Sequence, residues 1–308
     1  MLILGIFYFL LGLILLYYGS DWFVLGSERL AKYINVSNFV IGATVVAMGT
    51  SLPEILTSVY ASYTHISGIA IGNAIGSCIC NIGVVLGLSA IVMPLSINNN
   101  LRSNILFYLL YVILTAILGV NGFSWIDGAI LLVIFLIYLR WTIKNGYIDN
   151  IEIEKIEKDI EKHNISLAFS LVLSIVGLIG VLVGAKLFVD GAKNIAIALN
   201  ISDKIIGFTL VAFGTSVPEL MVSLAAAKRN LGGIILGNVI GSNMADIGGA
   251  LAISCLFTNL PSANIQMVIL IVMSFLIYLF ARFGKINRLH GLILLIIYII
   301  SIATLRMG

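Results

Sequence analysis

Long, uninterrupted apolar runs are the feature that most limits how this chain can fold. A helix needs roughly 20 consecutive apolar residues to cross a bilayer, and the 308-residue sequence supplies ten candidate runs between its charged and turn residues. Helices are expected in all of them, because lipid cannot hydrogen-bond an open backbone. The predicted helices are 2–27, 37–62, 68–94, 101–120, 124–143, 166–193, 202–227, 233–258, 264–282 and 288–306.

The composition agrees with a protein that lies within a membrane. Hydrophobic residues make up 60% of the chain, charged residues 10%, and the mean hydropathy is +1.13. Soluble domains are about half apolar and about a quarter charged. A formal net charge of +3 without an isolated basic cluster does not indicate nucleic-acid binding. The predicted fold class is therefore an all-α polytopic membrane protein with ten transmembrane helices.

The second half of the chain repeats the first at a shift of 165 residues (219 − 54). Gly-Thr-Ser-x-Pro-Glu at 49–54 recurs at 214–219, and Gly-Asn-x-x-Gly-Ser at 72–77 recurs at 237–242. Each half has five predicted helices, an odd number, so the second half must enter the membrane from the opposite side. This indicates two inverted five-helix repeats, as in many secondary transporters. The first repeat, a charged cytoplasmic linker and the second repeat are placed at 1–143, 144–165 and 166–308.

The distribution of basic residues predicts the orientation of the chain. They concentrate in the loops on one side of the predicted bundle, for example at Arg102, Lys228 and Arg229. The positive-inside rule makes these loops cytoplasmic, which places both termini outside the cell. We expect a multi-pass protein of the cell membrane whose surroundings are the lipid bilayer, with no obligate protein partner evident.

Two glutamates, Glu54 and Glu219, fall inside predicted helices at equivalent positions of the repeat. Ionisable residues within membrane helices are costly and indicate function by default. Each glutamate follows a proline, which cannot donate a helix hydrogen bond and crowds the preceding turn. A break there is expected to free main-chain carbonyls, which are tolerated at membrane depth where they line a cavity or coordinate an ion. The carbonyls concerned lie near Ala47, Gly49, Thr50, Ala212, Gly214 and Thr215.

Further oxygen atoms accompany the glutamates at helical spacing. Ser51 and Ser216 precede them by three residues, on the same helical face. The partner helices add two pairs at i, i+4, which are Ser77 with Asn81 and Ser242 with Asp246. Oxygen ligands suit hard cations, and calcium takes roughly 6–8 of them. No His or Cys joins the set, which argues against zinc or copper. With three carboxylates the site has a formal charge of −3.

The paired motifs resemble the two α-repeats of the cation/calcium exchanger superfamily, in the form of the compact archaeal sodium/calcium exchangers. The resemblance covers essentially all ten predicted helices. It implies electrogenic antiport of about three sodium ions for one calcium ion by alternating access, without a cofactor. It also implies that Glu54 and Glu219 bridge the calcium site and the adjoining sodium sites. The other implied ligands are Ser51, Ser77, Ser216, Ser242, Thr50, Thr215, Asn81, Asp246 and the carbonyls of Ala47 and Ala212.

The mechanism expected from this arrangement is a sliding of the first and sixth predicted helices. The four ligand-bearing helices, at 37–94 and 202–258, would form a core around a fixed site. The long helices at 2–27 and 166–193 would then move against it to open one side at a time.

Other functions share part of this pattern and stay open. A calcium/proton antiporter of the same superfamily would keep the acidic pair but need fewer sodium ligands, and the Thr-Ser before each Pro-Glu favours sodium. A potassium-dependent exchanger also fits. A passive cation channel fits less well, since channels usually build a pore from several subunits. An intramembrane enzyme is disfavoured, because no nucleophile–base pair or His cluster is present.

Overall fold

The computed structural model describes residues 2–146, 166–199 and 214–305. Within these ranges the chain is nearly all helical, and one short antiparallel pairing joins strands β1, Leu95–Ser96, and β2, Lys285–Ile286. The helices are α1 Leu2–Tyr33, α2 Asn38–Thr50, α3 Leu52–Tyr63, α4 Ser67–Val92, α5 Asn99–Leu118, α6 Trp125–Asn145, α7 Leu167–Ala198, α8 Val217–Lys228, α9 Gly232–Ser254, α10 Asn264–Arg282 and α11 Arg288–Leu305.

Seven helices in the described ranges are long and apolar enough to cross a membrane, or eight if α2 and α3 form one broken span. This count does not establish the predicted total of ten. The first part of the predicted helix at 202–227 lies outside the described residues, and Arg288–Ile302 falls among the shorter apolar helices. The predicted linker at 144–165 also lies almost wholly outside the described residues.

Helices α1 and α7 are longer than the sequence predicted. Each has 32 residues, so α1 continues from position 27 to Tyr33 and α7 from position 193 to Ala198. The prediction ended helix one where charged residues begin. In the structure those charges stay on the helix, because Lys32 pairs with Glu28 one turn away at 3.3 Å.

The same two helices pack against each other along most of their length. They run antiparallel, since Gly12 of α1 lies beside Phe188 of α7, while Gly26 lies beside Ser170. A Cβ atom at Gly12 would collide with the main chain of Phe188, so this approach requires glycine. The helices therefore form a close pair with little room for larger side chains at their contact.

Helix α9 occupies the centre of the molecule, and its membrane-length window is entirely buried. It packs on α2, where a Cβ at Gly241 would meet the backbone of Ala43. Two of the π-helical stretches in the described ranges, Asn81–Leu86 in α4 and Asp246–Leu251 in α9, begin at equivalent positions of the repeat. Such π turns inside α-helices are frequent at functional sites. Here they begin at two of the predicted site residues.

Candidate cation-binding site

The two glutamates lie in the first turns of α3 and α8, where the helix dipole favours negative charge. Ser51 leaves the helical conformation with φ −81° and ψ 3°, and Ser216 does so with φ −90° and ψ 4°. Helices α2 and α3 meet at Ser51 with a bend of 47°. The predicted break before Glu54 is thus confirmed. The residues before 214 lie outside the described ranges, so α8 is seen only from its start.

All three carboxylates of the predicted set are buried, with exposures of 1% for Glu54, 1% for Glu219 and 0% for Asp246. Burying a charge without a partner is costly, and buried polar atoms nearly always have a hydrogen-bond partner. Several oxygens of the predicted site nevertheless lack one among the described residues. They are Oε1 and Oε2 of Glu54, Oε2 of Glu219, Oδ1 of Asp246, Oδ1 of Asn81, and Oγ of Ser216 and Ser242.

These oxygens are of the type that hard cations bind. No three His, Cys, Asp or Glu side chains in the described ranges are grouped closely enough to hold a metal ion by themselves. The sequence predicted a mixed set of carboxylate, hydroxyl, amide and carbonyl oxygens, and that set stays a prediction.

Residues at the break between α2 and α3 form hydrogen bonds to the second half of the molecule. The hydroxyl of Ser51 donates to Oε1 of Glu219 at 3.4 Å. The hydroxyl of Thr50 lies within reach of three acceptors, which are the carbonyls of Val46 and Ala47, at 3.2 and 3.3 Å, and Oδ1 of Asn238 at 3.2 Å. It has one hydrogen and cannot serve all three.

The carbonyl of Ala47 is less free than the sequence predicted. It accepts the main-chain N–H of Ser51 at 2.9 Å, in addition to the contact with the hydroxyl of Thr50. A carbonyl oxygen has two lone pairs. When the hydroxyl of Thr50 donates to Asn238 instead, the carbonyl oxygen of Ala47 therefore keeps one lone pair for a cation.

Two asparagines support the glutamates at equivalent positions. Asn73 donates from Nδ2 to the carbonyl of Glu54 at 3.0 Å and to Ser58 at 2.9 Å. In the other half, Asn238 donates to the carbonyl of Glu219 at 3.2 Å and to Ser223 at 3.0 Å. Each amide thus fixes the main chain of a glutamate to the neighbouring helix. The repeated Gly-Asn of the sequence motif is the signal that marks these residues.

Replacing Asn238 with alanine should weaken cation binding more than the same change at Asn73. Asn238 is fully buried and also accepts the hydroxyl of Thr50, whereas Asn73 is half-buried. We expect N238A to raise the KM for the transported cation about fivefold, since a net hydrogen bond contributes about 1 kcal/mol. Cation-dependent flux in proteoliposomes provides the measurement, with N73A as the matched control. Equal effects of the two substitutions would contradict this ranking.

Asn81 and Asp246 meet where the two π turns begin. Nδ2 of Asn81 donates to Oδ2 of Asp246 at 3.4 Å and to Oδ1 of Asn243 at 3.1 Å. Both site residues are buried, and each presents an unpartnered oxygen. The asymmetry seen in the sequence, an amide in one half and a carboxylate in the other, therefore lies at a direct contact between the halves.

The remaining predicted ligands differ in burial, and one of them lies outside the described residues. Ser77 and Ser242 are buried, and Thr215 is half-buried. Thr215 lines a cavity of about 500 Å³ between α3, α7 and α8. Ala212 lies outside the described residues, so its carbonyl stays a prediction.

Sequence reasoning missed a buried polar cluster behind Asn81. Its members in the described ranges are Cys78, Asn243, Tyr108 and Ser274. Cys78 and Asn243 are equivalent positions of the repeat but differ in residue type, so comparing the halves does not mark either one. Tyr108 lies in α5, which contributes no predicted ligand.

The chain is similar to known membrane proteins. The sequence matches the family described as "Sodium/calcium exchanger protein" over residues 4–144 and 169–307. It is 70% identical to an uncharacterized membrane protein of Methanocaldococcus jannaschii over the full length of both chains. It is 33% identical to the sodium/calcium exchanger MaX1 of Methanosarcina acetivorans over 84% of each chain.

Solved structures show the same fold. A structure of the sodium-calcium exchanger NCX_Mj soaked with 2.5 mM Na⁺ and 0.1 mM Ca²⁺ superposes with a TM-score of 0.91, at 69% identity and 99% coverage of both chains. Another, soaked with 10 mM Na⁺ and 10 mM Sr²⁺, gives a TM-score of 0.90 at 70% identity. The likeness extends over nearly the whole chain, which is therefore a multi-pass membrane protein. The chain belongs to the sodium/calcium exchanger family of membrane transporters.

Proposed function

We propose that this protein is a secondary active antiporter that exchanges sodium for calcium across the cell membrane. The observation that carries the proposal is a set of buried oxygens that have no hydrogen-bond partner in the described part of the chain, on Glu54, Glu219, Asp246 and Asn81. Carboxylates in an oxygen-only set attract hard cations of one or two charges. The solved relative was soaked with both Na⁺ and Ca²⁺, which supports the same pair of ions here. The twelve ligands predicted from the sequence are proposed as the coordinating groups.

The charge of the site supports an exchange of three sodium ions for one calcium ion. Glu54, Glu219 and Asp246 give −3 when all are ionised, and three sodium ions match that charge. Exchanging three sodium ions for one calcium ion moves one net positive charge across the membrane, so the cycle is electrogenic. A membrane potential should therefore change the rate of exchange.

The inverted repeat is proposed as the basis of alternating access. It is supported by the packing of α1 and α7, which are equivalent helices of the two halves and run antiparallel. Because their contact admits only glycine at Gly12, we infer that the two helices move as one body against the core formed by α2 to α4, α8 and α9. The bulk of the site lies on that core.

The cavity beside Thr215 is proposed as a route for ions to the site. It reaches the first turns of α3 and α8, since Pro53 and Pro218 line it together with Lys186 and Asp190 of α7. Movement of α7 would change its width. We propose further that both termini face outside, as the basic loops predicted.

Calcium-45 uptake into proteoliposomes tests the function directly. Vesicles loaded with sodium, potassium or acidic buffer are diluted into calcium medium, and uptake is expected only with an outward sodium gradient. A potassium-set membrane potential, positive inside or negative inside, should change the rate in opposite directions. Uptake driven by a proton gradient and indifferent to sodium would instead assign a calcium/proton antiporter. Uptake that continues without any counter-ion gradient would indicate a channel.

A further inference from the structure

Asn243 lies behind the proposed site and contacts residues of two other helices, α4 and α5. It is fully buried in α9. Its Nδ2 donates to the main-chain carbonyl of Cys78 in α4 at 3.2 Å and to the hydroxyl of Tyr108 in α5 at 2.8 Å. Its Oδ1 accepts from Nδ2 of Asn81 at 3.1 Å. Ser274 of α10 donates to the same Tyr108 hydroxyl at 3.1 Å.

These contacts determine which way the amide of Asn243 faces. A main-chain carbonyl can only accept a hydrogen bond, so the amino group of Asn243 must face Cys78. The carbonyl oxygen of the side chain must then face the opposite way, toward Asn81. A main-chain atom thus determines the orientation of a side chain in the other half of the repeat.

The orientation of Asn243 in turn determines that of Asn81. The amino group of Asn81 faces two acceptors, Oδ1 of Asn243 and Oδ2 of Asp246. With the amide turned over, its oxygen would face Oδ1 of Asn243 and Oδ2 of Asp246, and both would lose the hydrogen bond that Asn81 donates. In the observed orientation Oδ1 of Asn81 is the unpartnered atom. That oxygen is then available to a cation.

We propose that Asn243 is a positioning residue, which holds Asn81 with its carbonyl oxygen toward the bound cation. The inference rests on the proposed function and deepens it, because it assigns Asn243 a role that acts through Asn81, to which it is hydrogen-bonded. This role also gives a reason why the two halves differ at the equivalent positions 78 and 243. Cys78 occupies the position equivalent to Asn243. Its thiol lies 3.7 Å from the main-chain carbonyl oxygen of Asn243 and 4.0 Å from Oδ2 of Asp246. The amide that orients a ligand is present in the second half alone.

A double-mutant cycle between Asn243 and Asn81 separates positioning from general damage. The KM and kcat of cation-dependent calcium uptake are measured for wild type, N243A, N81A and N243A/N81A. We expect N243A to raise KM by about 3- to 10-fold, the value of one net hydrogen bond, with kcat little changed. In the N81A background the same substitution should cause no further change. Ser274→Ala removes a polar contact from the same buried cluster and should leave KM unchanged.

Two results would overturn the inference. One is an unchanged KM in N243A, and the other is an N243A effect that persists at full size in N81A. If N243A does not fold, Asn243→Ser replaces it in the cycle with the same expectations. If the wild type shows no sodium-driven uptake, the proposed function fails, and the cycle is read instead from the rise in Tm that calcium chloride causes in the purified proteins. That rise should be reduced by N243A in the wild-type background and not in N81A.

Discussion

Replacing Glu54 with glutamine is expected to reduce sodium-driven calcium uptake by about 100-fold or more, because removing one partner of a buried charge pair costs about 3–5 kcal/mol. Glutamine keeps nearly the same volume, so the packing of α3 is retained. Both carboxylate oxygens of Glu54 are buried without a partner among the described residues. Glu219→Gln should have an effect of the same order. Calcium-45 uptake at saturating calcium measures the loss.

The control for this prediction is a glutamate that lies away from the site. Glu28 pairs with Lys32 one turn away on α1 at 3.3 Å, and ion pairs at this helical spacing contribute only about 0.3–0.5 kcal/mol. Glu28→Gln should therefore transport calcium at the wild-type rate. The Tm of E54Q without added cations should equal or exceed that of wild type, since an uncompensated buried charge is removed. Full uptake by E54Q would contradict the assignment of Glu54 as a ligand.

Cross-linking α1 to the core is expected to abolish exchange, because the proposed cycle needs α1 and α7 to slide. The cross-link can be placed between Asp21 of α1 and Arg229, which lies in the turn after α8. They form a two-point ion pair, with distances of 3.0 and 2.9 Å. Cysteines at both positions can be joined by a short bifunctional thiosulfonate reagent. Calcium uptake is then measured before and after reduction, and reduction should restore it.

The uncross-linked double variant serves as the reference for that experiment. The natural cysteines Cys78, Cys80 and Cys255 are buried, so they should not compete for the reagent. A single variant, Asp21→Cys treated in the same way, controls for modification of α1 alone. Exchange that continues in the fully cross-linked protein would rule out the sliding of α1 against the core.

Much of the candidate site could be predicted because the chain carries it twice. Glu54 and Glu219 were found from the duplicated Pro-Glu, and the bend before α3 follows from the missing N–H of Pro53. The helices were predicted where apolar runs are long, since each run must cross the same thickness of lipid. Their ends were less predictable, as α1 and α7 show, because a charged turn can stay helical beyond the membrane.

The sequence by itself determined the helical character of the chain, the repetition of its two halves and the main acidic residues of the candidate site, because these follow from local hydropathy and repeated motifs. The tertiary structure alone decided which atoms of those residues lack a hydrogen-bond partner among the described residues. The hydroxyl of Thr50 reaches Asn238 across 188 positions, and Asn81 reaches Asn243 across 162. Such contacts leave no periodic pattern in the sequence. Their direction depends on which donor meets which acceptor when the helices pack.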